Sequence, residues 1–123
     1  MHMVEPANLE TLGRAECLAL LATVPMARVV FTDRALPAVR PVQFTLEGDF
    51  VWLRPVTGLG PLSESQDAVL ALEADSFSAD LSNGWFVVVL GRAAGTAIRI
   101  ELVQGWRLTS AARIEQAGLD QAE

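Results

Sequence analysis

Pro25-Met26-Ala27-Arg28-Val29-Val30-Phe31-Thr32-Asp33-Arg34-Ala35-Leu36-Pro37-Ala38-Val39-Arg40-Pro41-Val42-Gln43-Phe44-Thr45-Leu46-Glu47-Gly48-Asp49 holds two β-rich runs around a turn-forming segment, Asp33 to Pro37. Glu47-Gly48-Asp49 closes the second run. This pattern predicts an antiparallel hairpin with a second reversal after it. Arg40-Pro41-Val42 sets a proline inside the second run. Proline cannot donate to a β-ladder, so that strand is expected to be irregular or to have an unpaired side there. Backbone left free at such a place is open to a ligand.

Four more strands are predicted downstream. Asp49–Arg54 is rich in β-formers, and Asp67–Ala74 is short and lies between strand patterns. Gly84–Arg92 is a continuous apolar run, which predicts burial on both faces. Ala97–Val103 alternates apolar and charged residues, so one face should be exposed. Gly105–Leu108 reads as a last short extension. Upstream, a helix is expected over about Arg14–Thr23, with Gly13 as N-cap, Glu16 as a weak capping-box partner, and Leu18, Leu21 and Ala22 as its apolar face. The expected domain layout is a loose arm over residues 1–10, a barrel over 11–109 and an acidic tail over 110–123. Six strands with short turns and one helix indicate a mainly β fold, a closed or nearly closed barrel, with a sandwich as competitor. Closure removes edges from such apolar strands.

Composition narrows the function. Hydrophobic residues form 51% of the 123 residues and charged ones 20%. One small domain cannot bury that much apolar surface alone, so a symmetric homodimer is expected. The net charge of −6 argues against a nucleic-acid partner, which needs a basic face. All nine basic residues are arginine. Lysine chemistry is therefore excluded, and an anion site must use arginine, hydroxyls or backbone N–H groups. Cys17 is the only cysteine and His2 the only histidine. Cys17 lies in an apolar helical pattern and is expected in the core. Cys-His and Ser-His triads and ordinary zinc sites have only His2 to draw on, within Met1-His2-Met3, and are not expected. Asp49, Asp75 and Asp80 read as solvated turn residues. The N-terminus lacks a basic region followed by an apolar run, and no apolar run is long enough to span a bilayer. The expectation is a cytoplasmic protein without a membrane partner.

From residue 18 onward the chain resembles the pyridoxamine 5'-phosphate oxidase-like family of flavin-binding split β-barrels, in particular small actinobacterial-type members. The matching pieces are Leu20–Pro25, Arg28–Asp33, Leu36–Phe44, Leu53-Arg54, Gly84–Ala93 and Gly105–Leu108. Their order and spacing are more specific for the fold than for the activity. The resemblance implies a homodimer with a cofactor, FMN or a deazaflavin coenzyme, at each seam, and hydride-transfer chemistry on an unknown substrate. It implies that Arg40, Pro41, Val42, Gln43 and Phe44 lie along the ring, while Arg54, Thr57, Gly58 and Leu62 form the phosphate stretch. Trp85 and Trp106 would pack beside the cofactor, in the core or across the seam. Arg92 and Arg107 would meet carboxylates, across the seam or in exposed pairs. Two departures stand out. Relatives usually carry a basic residue just before the leucine at position 62, and this chain has Pro61. Many relatives also insert a helical segment after Gly-Arg-Ala, whereas here Ala94-Gly95-Thr96 leads directly into Ala97, so a simple hairpin is expected. Both departures support a competing reading, a split-barrel homodimer that has lost its cofactor and serves as a binding or scaffold protein.

Overall fold

The computed structural model describes residues 8–55 and 67–109. Among the described residues, seven strands and one helix follow one another as β1 (Asn8–Leu12), α1 (Arg14–Leu21), β2 (Met26–Asp33), β3 (Leu36–Glu47), β4 (Phe50–Pro55), β5 (Val69–Phe77), β6 (Gly84–Ala94) and β7 (Ala97–Thr109). All strand pairings are antiparallel. The sheet order is β1-β7-β4-β3-β2-β5-β6, and β6 also pairs with β7. Six strands therefore close on themselves as a barrel. β7 is long enough to serve two neighbours along one edge. Residues 97–99 pair with β4, and Gly105–Thr109 pair with β1.

The predicted hairpin is β2–β3, in register from Asp33↔Leu36 to Met26↔Gln43. Its turn residues Arg34 and Ala35 have φ of 53° and 66°. Positive φ at both central positions matches the twist of the flanking strands. Glycine at a φ of 59° (Gly48) and of 64° (Gly95) makes the next two tight turns.

The core is the inner face of the barrel. Val29, Val42, Val51, Leu72, Val87, Val89 and Ile98 are fully buried. Each such side chain contributes about 1.5–3 kcal/mol relative to exposure. β6 departs from the expected burial on both faces. Val87, Val89, Gly91 and Ala93 are buried, but Phe86, Val88 and Leu90 on the outer face are only partly covered. Among the described residues, Phe86 on that side meets only the neighbouring rings Phe77 and Trp106.

Four further expectations change. The extension Gly105–Leu108 is continuous with Ala97–Val103. A bulge absorbs the irregularity, since Leu90 faces Leu102 and Gly91 faces Ile100, which leaves Glu101 as the extra residue. Gly91 sits there because a Cβ would run into the carbonyl of Arg99. The loose arm expected over residues 1–10 includes Asn8, Leu9 and Glu10, which are laddered to Thr109, Leu108 and Arg107. Residues 1–7 lie outside the described residues, as does the tail over 110–123. Glu16 makes no side-chain cap at Gly13; its carboxylate instead accepts from Arg107 Nη2 at 2.7 Å. The helix buries Cys17 and Leu21, with Leu18 and Leu20 packed beside them, while Ala22 is exposed. Positions 17 and 21 are one turn apart and share a face.

Candidate functional site

The outer surface of β2, β3 and β5 carries the residues of interest. β3 pairs with β4 from Val42 to Glu47, and with β2 from Leu36 to Gln43. Among the described residues, Leu36–Pro41 has β2 on one side and no strand on the other. The proline thus stands where the ladder ends, as its missing N–H dictates. The free backbone edge lies at Leu36–Arg40, one step before the stretch expected from sequence. Leu36 and Val39 on it are 67% and 51% exposed, so the edge is apolar as well as open.

The five residues Arg40–Phe44 divide between two faces. Val42 is fully buried and Phe44 packs against the core, so their side chains serve the barrel interior. The Arg40 guanidinium lies 5.7 Å from the centre of the Phe31 ring and donates to the carbonyl of Val39 at 3.0 Å. Pro41 and Gln43 are exposed on the outside. Gln43 is directly opposite Arg54 on β4, which brings the expected ring shelf and the expected phosphate arginine together. Thr57, Gly58, Pro61 and Leu62 lie outside the described residues.

Charges sort the arginines. Arg14, Arg28, Arg92, Arg99 and Arg107 each meet a carboxylate of the same chain within 4 Å. Arg92 meets Glu101 at 3.0 Å, and Arg107 meets Glu16, so both of these arginines are satisfied without a second copy. Among the described residues, Arg34, Arg40 and Arg54 have no such partner. All three belong to the β2–β3 turn, β3 and β4.

Beside Pro41 lies a half-open hollow of about 210 Å³, lined by Met26, Ala27, Arg28, Pro41, Ala74 and Asp75. Arg28 Nη1 reaches Glu73 Oε1 at 2.5 Å and Asp75 Oδ2 at 3.2 Å. Asp75 is therefore a strand residue engaged with an arginine, not the solvated turn residue expected from sequence. Asp49 is in its expected turn, 3.6 Å from Arg14. Asp80 is also in its expected loop. There the backbone N–H of Ser82 and the hydroxyls of Ser82 and Ser78 hold its carboxyl at about 2, below the usual 3.8. Burial and the neighbouring Asp75 raise the Glu73 carboxyl, against the lowering effect of Arg28.

The two candidate tryptophans, Trp85 and Trp106, part company. Trp85 packs against the core, while Trp106 stacks on Phe86 with ring centres 4.8 Å apart. Phe86 is directly opposite both Asp75 and Trp106, so Trp106 shares the outer face with the hollow. Cys17 is fully buried and burial pushes its thiol up, in keeping with a core role.

The Arg28, Glu73 and Asp75 group escaped the sequence reading. A signal existed. A hairpin turning at Arg34-Ala35 necessarily sets Arg28 opposite Pro41. Carboxylates two apart on a strand share a face. What was not visible is that β5 lies beside β2.

A family model described as pyridoxamine 5'-phosphate oxidase matches residues 13–105. The chain is similar to uncharacterized protein Rv0080 of Mycobacterium tuberculosis (strain ATCC 25618 / H37Rv), with 41% identity over 87 residues. That match covers 67% of this chain, which spans 57% of the relative's length. Among solved structures, the FAD binding protein from Mycobacterium smegmatis superposes with a TM-score of 0.68 at 25% identity, covering 82% of this chain and 99% of that one. An FAD-binding protein from Mesorhizobium loti gives 0.66 at 16% identity, with the same coverages, and so shares the fold. No helix among the described residues is long and apolar enough to cross a membrane.

Proposed function

The chain belongs to the pyridoxamine 5'-phosphate oxidase family, and from that membership we propose that it binds a flavin-type cofactor and acts as an oxidoreductase in a homodimer. One observation carries this reading. The open, apolar edge of β3 ends beside two arginines, Arg40 and Arg54, that have no carboxylate partner among the described residues of an acidic chain. A flat ring with a phosphate tail asks for that combination, a shelf with fixed polar groups next to a cation. Pro41 and Gln43 would flank the ring from the outer face, and Val42 and Phe44 would support the strand from within. Arg54 would hold a phosphate oxygen, with Thr57, Gly58 and Leu62 as the remaining expected contacts. Trp106 would wall the outer side. A bound flavin supplies the hydride chemistry, and the protein's part is to bind, orient and shield it.

The open side supports a shared site. A ligand pocket usually encloses about 300–1,000 Å³, and the shelf along β3 has a wall on one side only among the described residues. A second copy would complete the walls. The outer face offers a surface for it, since Val39, Val30, Ala71, Leu90 and Leu102 stand directly opposite one another in one row across five strands.

Fluorescence titration of the purified protein with FMN, FAD and a deazaflavin tests the reading. Micromolar or tighter binding of one of them is expected, weakened about tenfold by Arg54→Ala through loss of a charge-assisted contact. No binding of any at micromolar concentration overturns it. The cofactor-free scaffold keeps one observation in its favour. β6 and β7 are joined directly through Gly95-Thr96, without the wall segment of many relatives. Absence of flavin binding, with no gain in Pro61→Lys, would establish that alternative.

A further inference from the structure

We propose that the hollow beside Pro41 is a ligand subsite for a small flat molecule bearing a cationic or N–H donor group, such as an amidinium, ammonium or protonated ring nitrogen, which Asp75 receives. The proposal rests on the flavin reading only in making that ligand the substrate. The hollow stands on its own geometry.

Four of its six lining residues, Met26, Ala27, Pro41 and Ala74, are apolar, and the two others are Arg28 and Asp75. This is the usual make-up of a small-molecule site, apolar walls with a few placed polar groups. The polar groups are not balanced. One guanidinium serves two carboxylates, so the group carries one negative charge in excess. The carboxylates are also the more covered partners. Their side chains are 26% and 28% exposed, against 55% for Arg28. A partly desolvated carboxylate gains most from a further donor. The Glu73 carboxyl is raised by its burial and by Asp75, as expected where negative charge is in surplus.

Among the described residues, neither β3 nor β6, the strands directly beside β2 and β5, supplies the missing charge. β3 presents Pro41 and Gln43 outward, while Arg40 is engaged with the Phe31 ring. β6 sets Val88 opposite Glu73 and Phe86 opposite Asp75. The charged groups lining the hollow are thus Arg28 and Asp75 alone among the described residues, with Glu73 beside them on Arg28. An anion is disfavoured, because Arg28 is already held twice. A planar cation suits the lining, with apolar contacts from Pro41 and Met26 and Asp75 for its charge. The aromatic pair Phe86 and Trp106 continues the same face.

The test is a titration of the unaltered chain, carrying ¹³C-methyl methionine and alanine, with benzamidinium chloride. Benzamide and benzoate of the same shape serve as controls. Shifts at the Met26 and Ala74 methyls are expected with benzamidinium, weaker ones with benzamide and none with benzoate. Asp75→Asn should weaken benzamidinium by about tenfold, the usual effect of losing a hydrogen bond to a charged group. Because a cation favours the ionised carboxylates, its affinity should fall as pH drops through the raised range of Glu73. Equal shifts with benzoate, an affinity indifferent to Asp75→Asn, or shifts confined to residues outside the hollow would overturn the proposal. Should Asp75→Asn not fold, the pH series on the unaltered chain decides, and a flat profile between pH 7 and the carboxylate range counts against it. Flavin affinity measured on the same samples separates the two ideas. Probe binding without flavin binding strikes the cofactor reading alone, and the reverse strikes the hollow alone.

Discussion

Cys17 and Gly105 show how a single missing methyl group can seat a helix. A Cβ at position 105 would stand 2.5 Å from the sulfur of Cys17 and 3.2 Å from the Phe86 carbonyl. The glycine lets α1 lie directly on β7, and the thiol, fully buried, donates weakly to the Leu12 carbonyl at 3.8 Å. Gly105→Ala should therefore cost about 1–3 kcal/mol through overpacking. Cys17→Ala removes the obstructing atom, so the double variant should lose less than the sum of the two singles. Urea denaturation of all four proteins measures the coupling, and strict additivity would contradict the contact. The candidate site shows a different side of the residue scale. Pro41 could be singled out in the sequence because a proline inside a strand has local consequences, and Arg54 because the family resemblance implies a phosphate contact there. Glu73 and Asp75 could not, because their meaning depends on Arg28, which the chain brings to them from 45 and 47 residues away.

At the scale of elements, local chemistry and legibility run together. β2, β3 and the turn between them appear where the sequence places them, because proline, a polar turn and β-branched runs act within a few residues. The turn itself is not optimal. Ala35 holds a φ of 66°, a left-handed conformation that costs an L-residue about 1–2 kcal/mol. Ala35→Gly should raise stability by roughly 1 kcal/mol once the extra freedom of glycine in the unfolded chain is subtracted. The same change at Ala38, in extended backbone, should lower it. A pair of thermal melts distinguishes these outcomes, and a loss at both positions would mean that the turn is not strained. β1 was hidden for the opposite reason. Asn8–Leu12 carries little β signal, and it becomes a strand because the far end of β7 offers an unpaired edge. The face of α1 was also shifted. Eight residues hold too few turns for periodicity to choose between neighbouring faces, and the choice falls to Gly105, which admits Cys17.

The whole molecule raises the question of the outer barrel wall. The row Val39, Val30, Ala71, Leu90 and Leu102 is continuous in register; among the described residues Val39 and Leu102 are exposed and the other three half-buried. If it is the proposed seam, a charge in it should separate the copies, because burying an unpaired carboxylate is far costlier than leaving it in water. Leu102→Glu, at a position 46% exposed in the single chain, should then give a monomer in light scattering and should also lower flavin affinity. An unchanged mass would remove this row from the interface. An all-arginine, histidine-poor and strongly apolar composition determined by itself which chemistries are closed to this protein, and that its strands would be apolar on more than one face. Turn and proline signals determined the central hairpin, because those effects are local. The closed barrel of six strands was expected from the sequence, but only the tertiary structure decided that β7 serves both β4 and β1, that Arg40–Phe44 divides between core and surface, and that a basic residue on β2 meets two acidic ones on β5. These depend on which strands become neighbours, and pairing between distant segments is fixed by the packing of the whole barrel, not by any one stretch of chain.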